Sequence, residues 1–234
     1  MHELEKYIYI SYFKIYIMFN VEIATRNYYS KCKERHYSHP IIHAFSVPKL
    51  KWIMSKIRLN NKRVLEIGAG NGYFSNQLMK VCNLTVIDIS EHQLKFNPSR
   101  AKQVGSVYDL PYKNNSFDIV FSSNLLHHLN IPLKAINEMK RVAKNQIIFC
   151  EPNRNNPILF LGALLCRHER NVTKYSKKFI KNLIGKVNMR VKHHSYLGGM
   201  VMPNSTPSFL LPFVGAESKN NLSFFQIFIC ENIR

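Results

Sequence analysis

Val64-Leu65-Glu66-Ile67-Gly68-Ala69-Gly70-Asn71-Gly72 is the stretch that decides the fold class. An apolar run ends in a carboxylate, and glycines then stand at every second position, 68, 70 and 72. Such a run reads as a buried strand. The glycines read as a tight turn, where a residue without Cβ lets the backbone pass through positive φ and approach a ligand closely. Beyond it, Phe74, Leu78 and Val81 recur at i, i+4, i+7, one face of a helix. At this point a turn with a purely structural role remains the alternative.

The spacing narrows what such a turn would hold. The dinucleotide fingerprint is G-x-G-x-x-G, its third glycine packing helix on strand. Here Tyr73 stands at that third position, and the glycine comes one residue early. The resulting E-x-G-x-G-x-G resembles the first motif of class I S-adenosylmethionine (SAM) methyltransferases. The resemblance implies that Gly68, Ala69, Gly70 and Gly72 wrap the methionine moiety and that Glu66 faces its ammonium group. Leu84-Thr85-Val86-Ile87 is a second β-branched run; it ends at Asp88, 20 residues after Gly68. At that separation an acidic residue ending the second strand meets a ribose. A carboxylate accepts from both ribose hydroxyls; Ser90 and Glu91 leave a helix-capping role for Asp88 as the other reading.

Further on stand Gly105-Ser106-Val107-Tyr108-Asp109-Leu110-Pro111-Tyr112 and Ser116-Phe117-Asp118-Ile119-Val120. They resemble the G-D-A-x-x-L-P-F and F-D-x-V signatures of small-molecule methyltransferases of the ubiquinone and menaquinone type. By that resemblance Ser106 and the backbone N–H of Val107 meet the adenine, Ile89 follows the ribose acid, and Ser123 touches the cofactor after the fourth strand. Serine departs from the family's acid or amide at position 106, so that contact carries no charge. Ile147-Ile148-Phe149-Cys150-Glu151-Pro152-Asn153 reads as a fifth buried strand, entered by a short connection at Ala143-Lys144-Asn145.

Strand runs alternating with helical patterns imply an α/β fold: a doubly wound, mostly parallel sheet with helices on both faces. The resemblance makes it the seven-stranded, Rossmann-like methyltransferase sheet. Ligands of such sheets bind beyond the carboxyl ends of the strands, where these motifs converge. A chain of 234 residues has the length for one such domain. The expected organisation is an N-terminal extension and flap over residues 1–45 and a methyltransferase domain over 46–234, with a lid segment around 155–185. The polar and aromatic residues Arg26-Asn27-Tyr28-Tyr29 and His36-Tyr37-Ser38-His39-Pro40 belong to the expected flap, with surface residues as the alternative. The apolar stretch from Tyr7 to Val21 is short of the ~20 residues of a membrane span and lacks a signal-peptide cleavage site. Met18 offers an internal start.

Five scattered cysteines form neither an even disulfide framework nor a Cys/His cluster, which points to a reducing, cytoplasmic setting and to no metal site. The net charge is +19, from 33 basic and 14 acidic residues. The excess sits in the flanks, most densely between Arg167 and Lys192, where Glu169 is the one acid. A basic rim favours anionic or lipid-like small molecules, an acidic membrane surface or nucleic acid; the bland reading is a solvated helix face. Ser176 to Gly185 reads as a capped helix with Phe179, Ile180, Leu183 and Ile184 inward. Ile158 to Cys166 is an apolar run with three readings: a core helix first, then a lid helix or a membrane-touching surface.

Methyl transfer from a sulfonium asks the protein mainly to align reactants and exclude water. His127 or His128, after the fourth strand, is the candidate base if the acceptor must lose a proton; His193 and His194 rank lower. Ser122-Ser123-Asn124-Leu125 is not the Asn/Asp-Pro-Pro-aromatic element of enzymes that methylate amino groups of DNA bases. The expectation is a methyltransferase for a small-molecule or lipid-like acceptor. A non-catalytic SAM-binding partner subunit and an enzyme acting on RNA through the basic flanks are the alternatives.

Overall fold

A computed structural model describes residues 27, 35–198, 202–204, 206–211 and 220–233. Its seven strands are β1 (Arg63–Ile67), β2 (Asn83–Asp88), β3 (Lys102–Val104), β4 (Phe117–Ser123), β5 (Ala143–Pro152), β6 (Met189–Leu197) and β7 (Phe225–Asn232). They form one sheet in the order β3-β2-β1-β4-β5-β7-β6. The pairs from β3 to β5 are parallel, and β7 runs antiparallel to both β5 and β6. Strand order reverses between β1 and β4. That is the switch point at which the loops diverge and leave a crevice beyond the strand ends.

The helices are α1 (Pro40–Lys56), α2 (Ser75–Leu78), α3 (Glu91–Phe96), α4 (Pro132–Val142), α5 (Pro157–Leu165) and α6 (Lys177–Lys186). Alternation along the central strands builds two apolar layers, because successive side chains point to opposite faces. Leu65, Val120, Ile147, Phe149 and Phe228 pack with Ala135, Ile136 and Met139 of α4 and with Ile180, Leu183 and Ile184 of α6. Val64, Ile119, Phe121, Ile148, Ile227 and Ile229 pack on the other face with Ile41, Phe45 and Ile53 of α1 and Leu78 of α2. Both faces of β1, β4, β5 and β7 are therefore covered, and their apolar runs are nearly continuous.

Several local expectations change. The helix after the glycine turn is one turn long; Phe74 precedes it, and the chain bends at Val81 and Cys82 to enter β2. Val142 of α4 leads directly into Ala143 of β5, so the short connection has no loop at all. In α6, Ser176 caps the start by accepting from Phe179 N–H at 3.1 Å, but the helix runs through Gly185 to Lys186. Asn188 takes the left-handed conformation instead (φ 53°), a role asparagine fills because its side chain tolerates that region.

The boundary expected at residue 45 falls inside α1, whose buried face belongs to the sheet's own core. His39 caps this helix by accepting from Ile41 N–H at 3.1 Å. Of the expected flap, Arg26, Tyr28 and Tyr29 lie outside the described residues, as does residue range 1–17. The segment expected as a lid divides: α6 packs into the core, while α5 stands over the cavity described below. The first reading of Ile158–Cys166, a core helix, is overturned. Of α5 only Ala163 is buried, and Leu161 and Leu165 are 60% and 90% exposed. Apolarity all round a helix predicts burial, but here one face meets a cavity. No helix among the described residues is long and apolar enough to cross a membrane.

Candidate active site

The glycine turn is pinned to β2 by backbone and by one side chain. Gly68 N–H donates to Ile87 O at 2.9 Å. Gly70 N–H donates to Asp88 Oδ2 at 2.8 Å, and Ser90 N–H to Asp88 Oδ1 at 2.8 Å. The Asp88 carboxylate thus holds the glycine turn and orients Ser90 at the start of α3, while the helix cap is Ser90 and not Asp88. Ser90 itself caps α3 by accepting from Gln93 N–H. Each carboxylate oxygen carries two lone pairs, so acceptor capacity for hydroxyls is left. Burial raises the Asp88 pKa, against the opposing pull of the Ser90, Gly70 and Ile89 backbone N–H groups.

Gly72 has φ 94°, and a Cβ there would stand 2.3 Å from Pro98 Cδ. That position is glycine because the turn is packed against Asn97-Pro98, not because a ligand approaches. Gly70 is the opposite case: its φ is 49°, and a Cβ would meet nothing within 4 Å. Asn97 Nδ2 ties the turn from below, donating to Gly70 O at 3.1 Å and to Ser75 Oγ at 2.9 Å. The Ser75 hydroxyl donates to Glu66 Oε2 at 2.6 Å. Burial pushes the Glu66 carboxyl up to about 8, with Asp88 adding to the rise and Ser75 opposing it.

A cavity of about 650 Å³ opens over this turn. Glu66, Gly68, Ala69, Gly70, Asp88, Ile89, Val107 and Ser123 all line it. Gly72 and Ser106 do not; the Ser106 hydroxyl accepts from Tyr108 N–H at 3.1 Å within its own turn. His193 and His194 lie on the outer strand β6 and stay outside the cavity. An apolar part of the lining comes from Ile158, Leu159 and Ala163 of α5 and from Val172. Arg35 O accepts from Asn71 Nδ2 at 2.9 Å, and Arg35 donates to Pro203 O at 2.7 Å. The N-terminal segment therefore meets the glycine loop and residues 203 and 204 at the cavity's edge.

His127 and His128 line the same cavity, on a 3-10 turn (Leu126–His128) after β4. The partners that fix them are Glu151 and Glu169, neither of which the sequence motifs single out as site residues. Glu151, fully buried at the end of β5, accepts from Leu125 N–H at 3.1 Å, from Leu126 N–H at 2.9 Å and from His127 Nδ1 at 2.7 Å. His127 Nε2 lies 3.3 Å from Glu169 Oε2, and His128 Nε2 lies 4.0 Å from Glu169 Oε1. Burial opposes a charged ring at His127, but Glu151 and Glu169 outweigh it and raise its pKa to about 9. His128, buried and beside that cation, is pushed down to about 3. Two adjacent histidines are thus driven apart, one charged and one neutral near pH 7. Tyr175 Oη donates to Leu126 O at 2.5 Å and locks the segment carrying Glu169 against the turn.

Residues 65–150 match the methyltransferase domain family model. That match runs from β1 to β5, the stretch that carries the glycine turn and the strand ends around the cavity. An uncharacterized protein of Methanocaldococcus jannaschii is 41% identical over 93 residues, 38% of this chain and 40% of that one. A ubiquinone biosynthesis O-methyltransferase of Azotobacter vinelandii is 27% identical over 138 residues, 53% of this chain and 58% of that one. The chain thus spans about half the length of these curated relatives. Among solved structures, a SAM-dependent methyltransferase from Thermotoga maritima superposes with TM-score 0.63 at 18% identity, covering 82% of this chain and 92% of that one; at that identity the likeness is one of fold.

The donor set at the strand ends fits SAM. The acidic Glu66 and Asp88 suit the ammonium and ribose ends, and Gly70 leaves room at the turn. Asn124, which lines the cavity in a left-handed conformation (φ 52°), has a buried Oδ1 with no hydrogen-bond partner among the described residues. A buried orphan acceptor is costly without a ligand or water to satisfy it.

Proposed function

We propose that this protein transfers a methyl group from SAM to a small, largely apolar acceptor. The observation that carries the reading is one cavity lined both by polar strand ends, Asp88 among them, and by apolar residues of α5. When bound, SAM supplies an already activated methyl group. Glu66, Gly68, Ala69, Gly70, Asp88, Ile89, Val107 and Ser123 are the residues we assign to holding it. Gly72 and Ser106 support the same turns from behind. Ile158, Leu159 and Ala163 would exclude water and receive the acceptor. His127 is held positive by its two carboxylates and suits an anionic or hydroxyl-bearing acceptor better than it suits the role of base. His128, neutral near pH 7, has a pKa far below that of an ordinary general base. Alignment and desolvation therefore account for the chemistry without a dedicated base.

Calorimetry with SAM and its demethylated product tests the cofactor assignment. Asp88→Asn keeps the side chain's shape and removes its charge. It should weaken SAM by roughly tenfold to a hundredfold, the worth of one charge-assisted hydrogen bond of about 1.5–3 kcal/mol. Incubation with labelled SAM and cell extract tests turnover. No heat for the folded wild type, or an unchanged affinity in the variant, would remove the assignment. Tight binding without any labelling would make the chain a SAM-binding partner subunit.

A further inference from the structure

His127, His128 and Glu169 each offer a ligand atom to one point on the cavity wall, and those atoms all lie within 4.8 Å of one another. We propose that these three residues bind a divalent transition metal of the zinc class beside the acceptor end of the cavity. Two nitrogen donors and one carboxylate form a donor set that such metals take, with the remaining coordination positions left to water or substrate; on binding, the metal takes the place of the proton that His127 Nε2 holds towards Glu169 in the metal-free protein.

The distances fit that purpose. Bonds of about 2.0–2.2 Å in a tetrahedral site put neighbouring donors about 3.3–3.6 Å apart. His127 Nε2 and Glu169 Oε2 are 3.3 Å apart, and His128 Nε2 and Glu169 Oε1 are 4.0 Å apart. The three donors, all within 4.8 Å of one another, are brought to that spacing by side-chain rotation at Glu169 and His128. Glu169 has the freedom to rotate, since its side chain is 41% exposed.

The surroundings are those of ligands held in advance. A metal-binding histidine usually gives its other ring nitrogen to a carboxylate or a backbone carbonyl, which fixes tautomer and ring orientation. His127 Nδ1 is taken by Glu151 Oε2 at 2.7 Å. Glu151 is in turn fixed by the Leu125 and Leu126 N–H groups. The competing explanation is an imidazolium–carboxylate pair between His127 and Glu169 with no metal. It accounts for the 3.3 Å contact but not for a second imidazole turned towards the same carboxylate. A metal here would meet a hydroxyl or carboxylate oxygen of the acceptor across the cavity.

The test uses the full chain, stripped with chelator, dialysed, and titrated with Zn²⁺ by calorimetry and with Co²⁺ by visible absorption. The expected result is one saturable site per chain with a Co²⁺ spectrum showing nitrogen and oxygen ligands. Glu169→Gln and His128→Gln should each weaken it at least tenfold, and Glu151→Gln by roughly ten- to a hundredfold through the misplaced His127 ring. Circular dichroism and SAM calorimetry on the same samples establish that each protein is folded. If Glu151→Gln does not fold, Glu169→Gln decides, because that side chain lies at the surface. No saturable metal binding by folded wild type would overturn the proposal and leave an imidazolium–carboxylate pair only. Equal metal affinity in Glu169→Gln, or loss in Cys166→Ser with retention in Glu169→Gln, would overturn it too. SAM binding is read separately, so failure here leaves the cofactor assignment standing, and the converse holds.

Discussion

Glu151 Oε2, at the end of β5, lies 2.7 Å from His127 Nδ1, in the turn that follows the neighbouring strand β4. One carboxylate thereby joins the ends of two adjacent parallel strands behind His127, which lines the cavity. The same group satisfies two backbone N–H donors, so Glu151 is both a structural clamp and the device that aims His127.

Removing that carboxylate should cost stability. Glu151→Ala leaves Leu125 N–H, Leu126 N–H and the Nδ1 of a buried imidazole without an acceptor, a loss of about 3–5 kcal/mol. At roughly 2–4 °C per kcal/mol for a domain of this size, the melting temperature should fall by roughly 6–20 °C. Glu151→Gln, which keeps an acceptor oxygen, should fall less. Thermal unfolding followed by circular dichroism checks both, and equal losses would mean that the hydrogen bonds are not the source.

Two glycines in the same turn should separate stability from binding. Gly72→Ala drives a Cβ into Pro98 and demands φ 94° of an alanine; crowding and the unfavourable conformation together cost about 2–5 kcal/mol. Gly70→Ala meets no neighbouring atom, so it pays only about 1–2 kcal/mol of backbone strain. Gly70 lines the cavity, however, and its Cβ should weaken SAM binding. Melting curves and SAM calorimetry on both variants should give opposite rankings.

The pH dependence of stability should carry the mark of Glu66. Burial lifts its carboxyl from 4.5 in the unfolded chain to about 8 in the folded one. Between those values the unfolded chain loses its proton while the folded one keeps it, so stability falls as pH rises from about 5 to about 8 and levels off above. Glu66→Gln should lack this component. Saturating SAM, whose ammonium group favours the ionised carboxylate, should flatten it. Melting temperatures of both proteins at pH 5.5 and 8, with and without SAM, test the sign; a wild type that gains stability relative to the variant with rising pH would refute it.

Gly162 sits inside α5, lines the cavity, and would carry a Cβ into open space. Gly162→Ala should therefore stabilise the protein by about 0.5–1 kcal/mol through helix propensity. Gly162→Phe should fill part of the cavity and hinder the acceptor while leaving SAM affinity within about twofold. Loss of SAM affinity on Gly162→Phe would place the cofactor against α5 instead.

Lys174, Lys177, Lys178 and Lys181 are exposed on the segment from Arg170 through α6. If this face docks an acidic surface, binding to acidic vesicles should weaken as salt rises, because exposed charges are screened beyond about 8 Å at physiological ionic strength. Changing all four to Gln should abolish that binding and spare SAM affinity. A wild type that ignores acidic vesicles at low salt would reduce the patch to a solvated helix face.

The cofactor half of the site was legible in the sequence because it is local. A strand, a glycine turn and an acid 20 residues on are constrained by backbone conformation, and backbone constraints leave their trace in residue type and spacing. Buried strands appeared as apolar runs for the same reason, and the sheet followed from their alternation with helices. Even there, spacing alone did not separate Gly70, which faces the cavity, from Gly72, which faces Pro98. The apolar pattern of α5 said that its surface avoids water and not whether core or cavity covers it.

The histidine half was decided by tertiary structure alone. His127 and Glu151 are 24 residues apart, and Glu169 stands a further 18 along. Nothing in their local sequence records that β4 and β5 end side by side, or that Tyr175 ties the following segment back to Leu126. A lone glutamate in a basic stretch reads as a surface residue until the fold brings it to within 3.3 Å of a buried imidazole. Sequence fixes what the backbone must do at each step; which distant side chains then share one charge is a property of the closed sheet.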